Sequence, residues 1–88
     1  MNIRETVLKH LAAIVTERSP LPFPTNVSDE MFLDDFWLDS ISFTSLLTTI
    51  EAELGFIPSD ILTGASFPRT IGELVGMYEY EARATANQ

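Results

Sequence analysis

One serine of this chain sits in an acidic, aromatic-rich run, Asp34-Asp35-Phe36-Trp37-Leu38-Asp39-Ser40-Ile41. Its hydroxyl is a weak nucleophile until a neighbouring base takes its proton. The sole histidine, His10, lies far upstream with no acidic residue at triad spacing on its face, and there is no G-x-S-x-G turn around Ser40. An independent serine hydrolase is therefore the weakest reading. The chain has no cysteine, which excludes a thiol nucleophile and a disulfide framework and leaves any zinc site almost wholly dependent on carboxylates. Asp39 suits a different task, because a carboxylate just before a helix accepts a backbone N–H two or three residues on and sits at the positive end of the helix dipole.

That helix is predicted from Ser40 to Leu54, where Phe43, Leu46, Leu47, Ile50 and Leu54 form an apolar stripe and Gly55 supplies the stop. Ser42, Thr44, Ser45 and Thr48 are expected on the other face, with Ile41 and with Glu51 and Glu53 near the end. A partner would read that face. Upstream, Ile3, Val7, Leu8, Leu11, Ile14 and Val15 mark a first amphipathic helix over 2–16, capped by Asn2, with Glu5 and Lys9 as an outer-face ion pair and His10 among the solvated positions. Ser19-Pro20 stops it, and Pro20, Pro22 and Pro24 favour an extended path through Thr25. Val27, Met31, Leu33 and Phe36 read as anchors that pin this long connection to the core. Connections of that length in a small domain are usually functional.

Downstream, Pro58 opens a short turn through Asp60, Ile61 and Leu62 that ends at Gly64. Thr70 and Glu73 make a capping box for a last helix with Ile71, Leu74, Val75 and Tyr78 inward, weakened by Gly72 and Gly76. The fold class is all-α, a small bundle of three main helices plus one short one with a long first loop. The chain reads as one domain over 1–88, folded over 1–82 with a frayed tail from 83 to 88.

Eighty-eight residues, 45% hydrophobic and 20% charged, describe one globular core and leave little room for an enclosing enzyme pocket. Thirteen carboxylates against five Lys and Arg give a formal net charge of −8, which repels nucleic acid and favours basic patches on protein partners. Charges at Arg4, Glu5 and Lys9 break the apolar pattern of the N-terminus, so it reads as neither a signal peptide nor a membrane span. A cytoplasmic, monomeric protein is the expectation.

The order helix, long loop, Asp-Ser, helix, short helix, helix resembles the acyl carrier protein family, which includes peptidyl and aminoacyl carrier domains. The likeness covers nearly the whole chain. Leu33-Asp34-Asp35-Phe36 leads in where the family has an apolar residue, two acids and Leu. Ile50-Glu51-Ala52-Glu53-Leu54-Gly55 closes the helix as the family's apolar-Glu-x-Glu-apolar-Gly ending does, and 67–74 is similar to its entry to the last helix. The resemblance implies that a phosphopantetheinyl transferase attaches 4′-phosphopantetheine from coenzyme A to Ser40 of Asp39-Ser40-Ile41. The thiol of that arm would carry acyl or aminoacyl groups as thioesters, and the protein itself would not be an enzyme. A cavity sheltering the chain would be lined by Phe43, Leu46, Leu47 and Ile71, residues that equally suit plain core packing.

Two departures bear on partners. Trp37 stands where the family commonly has glycine, and reads either as a partner contact or as loop packing. The helix after Ser40 carries hydroxyls where fatty-acid carriers have Glu and Asp. Trp37, Leu38, Ile41, Thr44, Ser45, Thr48 and Glu51 are the expected partner contacts. The partners implied are acyltransferases, adenylating ligases or ketosynthase-type enzymes with basic or mixed basic and apolar patches, in a polyketide, nonribosomal peptide or siderophore type of pathway. The alternatives are a housekeeping carrier of fatty-acid synthesis and, in another class, a cofactor-free helical adaptor that binds through Trp37 and Ile41.

Overall fold

The computed structural model describes residues 2–18, 22–24, 26–36 and 38–86, for 85 and 86 the backbone alone. Four helices build an all-α bundle: α1 (Ile3–Arg18), α2 (Ser40–Leu54), the short α3 (Ser59–Thr63) and α4 (Ile71–Ala86), with a 3-10 turn at Leu33–Phe36 in the long connection. The expected turn at Ser19-Pro20 and the environment of Trp37 fall outside the described residues. No described helix is long and apolar enough to cross a membrane.

Each helix begins and ends where its local chemistry directs. Asn2 accepts the Glu5 N–H at 3.1 Å and starts α1. Gly55 (φ 93°) and Gly64 (φ 77°) adopt the left-handed conformation that glycine tolerates and stop α2 and α3. Thr70 accepts the Glu73 N–H at 3.1 Å, but the Glu73 carboxylate turns back to the Arg69 N–H at 2.7 Å, one residue earlier than a reciprocal capping box places it. Thr70 pairs with Phe32 in an isolated antiparallel bridge at this point.

The inward stripes meet as predicted. Val7 and Leu11 of α1, Leu46 and Ile50 of α2, and Ile71, Leu74 and Tyr78 of α4 are fully buried. The long connection is held by Leu33 and Phe36, both buried, and by half-buried Val27 and Met31, with the Phe23 and Phe36 rings 5.3 Å apart. Backbone bonds then lash it to the entrance of α4: Leu33 N–H to the Arg69 carbonyl (2.8 Å), Ile71 N–H to Met31 (3.0 Å) and Gly72 N–H to Asp29 (3.0 Å). Arg4 adds an ion pair to Asp29 at 2.6 Å.

Several expectations need correction. Lys9 reaches across to Glu53 of α2 at 2.8 Å instead of pairing with Glu5, and His10 joins the same carboxylate at 2.9 Å with its side chain only 15% exposed. That carboxylate lies within reach of both side chains and gathers two donors, so His10 faces α2 and not open solvent. Helix α4 runs on through Ala86, into the stretch expected to fray, where the alanines at 82, 84 and 86 favour helix and Arg83 suits the negative end of the dipole; 87 and 88 lie outside the described residues. Gly72 is required where it stands: a Cβ there would lie 2.6 Å from the Asp29 Cβ.

Candidate functional site

Burial of Leu33 and Phe36 turns Asp34 and Asp35 outward on the 3-10 turn. Leu38 is half-buried against the core, and the chain then presents Asp39 and Ser40 at the surface, Ser40 as the first residue of α2. Asp39 is extended (φ −83°, ψ −179°); its Oδ1 accepts the Ser42 N–H at 2.7 Å and its carbonyl accepts the Phe43 N–H at 2.9 Å. The Ser42 backbone bond holds the Asp39 carboxyl below its usual range, helped by the Ser42 hydroxyl and by the charge of Arg18. Those two bonds satisfy the third and fourth amides of the helix. The amides of Ser40 and Ile41 have no hydrogen-bond partner among the described residues, and such groups favour a phosphate at the same end.

Arg18, in the last turn of α1, donates to the Ser42 hydroxyl at 3.4 Å and so sits beside the start of α2. This contact was not foreseen, although a basic residue closing α1 is visible in the sequence. Ser42 is itself a correction: it is 2% exposed and belongs to the inward face, not to the outer one. Its spacing of four to Leu46 and eight to Ile50 puts it on their stripe.

The other α2 residues divide cleanly. Ile41 is 70% exposed, Thr44, Thr48 and Glu51 are exposed, and Ser45 is half-buried. The threonine hydroxyls turn back on the helix, Thr44 donating to the Ser40 carbonyl at 2.9 Å, Thr48 to Thr44 at 3.0 Å and Thr49 to Ser45 at 2.8 Å. With the hydroxyl protons used internally, that face offers methyl groups and hydroxyl lone pairs. Trp37, expected beside it, lies outside the described residues.

Phe43, Leu46, Leu47 and Ile71 behave as core. Leu46 and Ile71 are fully buried, Leu47 is buried and Phe43 half-buried, and none of them lines the 730 Å³ cleft that opens instead between α3 and α4. Reasoning from sequence also missed the Tyr78 hydroxyl, which is buried without a hydrogen-bond partner among the described residues. Burial, with the charge of Glu51 adding to it, raises that phenol above its ordinary range.

The described residues contain no cluster of His, Asp or Glu able to hold a metal ion. Around Ser40 there is a helix-start hydroxyl, two amides with no partner among the described residues and a carboxylate tied to the helix, with Arg18 close by. The Ser40 hydroxyl is exposed, and no histidine or lysine is recorded in a hydrogen bond with it among the described residues. Comparison with known proteins finds no matching family model, no matching curated protein and no matching solved structure.

Proposed function

We propose that the chain is a discrete acyl carrier protein whose Ser40 takes 4′-phosphopantetheine from coenzyme A. The observation that carries this reading is the exposed Ser40 at the first position of α2, directly after an Asp39 that caps the helix, in the same helix order as the family it resembles. The residues fit the group. The Ser40 hydroxyl is the attachment atom, the Ser40 and Ile41 amides favour a phosphate beside it, and Asp39 is tied back to Ser42 with Arg18 offsetting its charge. When attached, the group supplies a thiol on a flexible arm that holds acyl or aminoacyl groups as thioesters. The transferase supplies the catalysis, which accounts for a serine with no local base.

The α2 surface favours a specialised pathway over housekeeping fatty-acid synthesis. Exposed Ile41 and self-bonded Thr44 and Thr48 stand where an electrostatically reading synthase would need carboxylates, leaving Glu51 toward the far end, while Glu53, expected beside it, is engaged by Lys9 and His10 of α1. Partners with mixed apolar and basic patches suit that face. Incubation with coenzyme A and a permissive phosphopantetheinyl transferase, followed by intact mass measurement, tests the reading. One phosphopantetheine should be added to the wild type and none to Ser40→Ala. An unchanged wild-type mass, or equal addition to Ser40→Ala, overturns it. Holo-protein charged by a dedicated adenylating ligase and poorly by a malonyl-loading enzyme supports the specialised assignment, and the reverse supports the housekeeping one.

A further inference from the structure

A cleft of about 730 Å³ opens between α3, the connection that follows it and α4. None of its lining residues comes from α1, the 3-10 turn or α2, so it is distinct from the Ser40 site. Its volume suits the recognition of a discrete group. Two aromatic side chains on its walls are widely exposed, Phe67 at 59% and Tyr80 at 69%.

Gly76 also lines it. This glycine has ordinary helical conformation, and a Cβ added there would meet nothing within 4 Å. Glycine inside a helix costs stability relative to alanine, and unlike Gly72 no neighbour requires it. Its bare Cα leaves that stretch of the cleft wall without a side chain.

The polar groups of the cleft are fixed in place. Glu73 accepts the Arg69 N–H through Oε1, and Glu81 accepts both the N–H (2.9 Å) and the hydroxyl (3.0 Å) of Ser59 through Oε1. In each case Oε2 has no partner among the described residues. The Ser59 backbone bond holds the Glu81 carboxyl below its usual range, so it stays ionised. Asp60 adds a third carboxylate against the single guanidinium of Arg69. Open aromatic faces beside anchored carboxylates match one common chemical group, a planar cation with an apolar stem. A guanidinium stacks on aromatic rings and donates in pairs to carboxylates.

The geometry points to this cleft as a docking site for an arginine side chain of a partner protein, its guanidinium stacked against Phe67 or Tyr80 and donating to Glu81, while Glu73, about two turns away on α4, adds to the negative potential of the cleft. Aromatic residues widely exposed at the mouth suit a protein surface, where aromatics and arginine are enriched, and the net charge of −8 draws basic partners in. The inference stands apart from the modification of Ser40.

The test is a titration of isotope-labelled full-length protein with the peptide acetyl-Leu-Arg-Leu-amide, followed by amide chemical shifts. A twin peptide with citrulline for arginine keeps the shape and removes the charge. Saturable shifts confined to the α3–α4 cleft are expected, with the citrulline peptide at least about tenfold weaker. Gly76→Leu, which fills the cleft, and Tyr80→Ala, which removes an exposed ring, should each weaken binding by at least about fivefold while the remaining spectrum shows an intact fold. Absent or unsaturable shifts, shifts spread equally over α1 and α2, equal binding of the citrulline peptide, or unchanged affinity in Gly76→Leu would each overturn the assignment.

Discussion

Asp39 is at once the helix cap of α2 and the neighbour of the candidate attachment site, and the two roles separate by substitution. Asparagine keeps a side-chain oxygen for the Ser42 N–H, whereas alanine does not. Asp39→Ala should therefore lower the melting temperature, and Asp39→Asn should retain most of it near neutral pH. The pH dependence follows from the sign of the shift. The folded-state value of Asp39 is depressed below its ordinary 3.8, so its contribution is fully present above that value and disappears as pH falls through the lower folded value. Thermal melts from about pH 6 down to about pH 2 should show a shallower acid loss in Asp39→Asn than in wild type. A second residue-scale prediction concerns Tyr78. Its hydroxyl is buried with no hydrogen-bond partner among the described residues, so Tyr78→Phe removes that polar group with little change of shape and should be neutral or stabilising by about 1 kcal/mol in chemical denaturation.

At the scale of elements, α4 carries two glycines with opposite requirements. A Cβ at Gly72 collides with Asp29, whose carbonyl also receives the Gly72 N–H, so Gly72→Ala should destabilise by about 1–3 kcal/mol by pushing the long connection off α4. Gly76 faces open space, and Gly76→Ala should stabilise by up to about 1 kcal/mol. Urea melts of the two variants side by side should move in opposite directions. Between α1 and α2, Glu53 gathers Lys9 and His10, with Thr6 at 3.4 Å. The Lys9 bond, then the His10 bond, holds its carboxyl below the usual 4.5, so this clasp persists above that value and loosens as acid protonates it. The main helices were legible because 3.6-residue spacing and caps are local signals: Asn2, Asp39, Gly55, Gly64 and Thr70 all act where their types suggest. Ser42 could have been placed inward from its spacing to Leu46 and Ile50, and the alanine-rich end of α4 could have been read as helix. The Glu53 clasp and the Asp29–Gly72 approach join residues distant in sequence, and no single-chain pattern encodes such distances.

For the whole molecule, the apolar stripes of three helices account for one shared core, and the long connection earns its place by bracing α4 while delivering Asp39 and Ser40 to the surface. Leu11 and Ile50 lie in that core with no exposed surface, so Leu11→Ala or Ile50→Ala should cost about 2–5 kcal/mol in urea denaturation. The two proposed contact regions lie on different elements, the α2 face beginning at Ser40 and the cleft between α3 and α4, so one can be altered without the other. Function in the proposed account rests on a single atom, the Ser40 hydroxyl oxygen, and the most direct test is made on the protein as its own cells produce it. Purified from them and mapped by peptide mass spectrometry, the peptide that contains Ser40 should carry phosphopantetheine on that residue. A Ser40 found unmodified throughout, in cells actively making the protein, would contradict the carrier account and leave the helical bundle as a binding module.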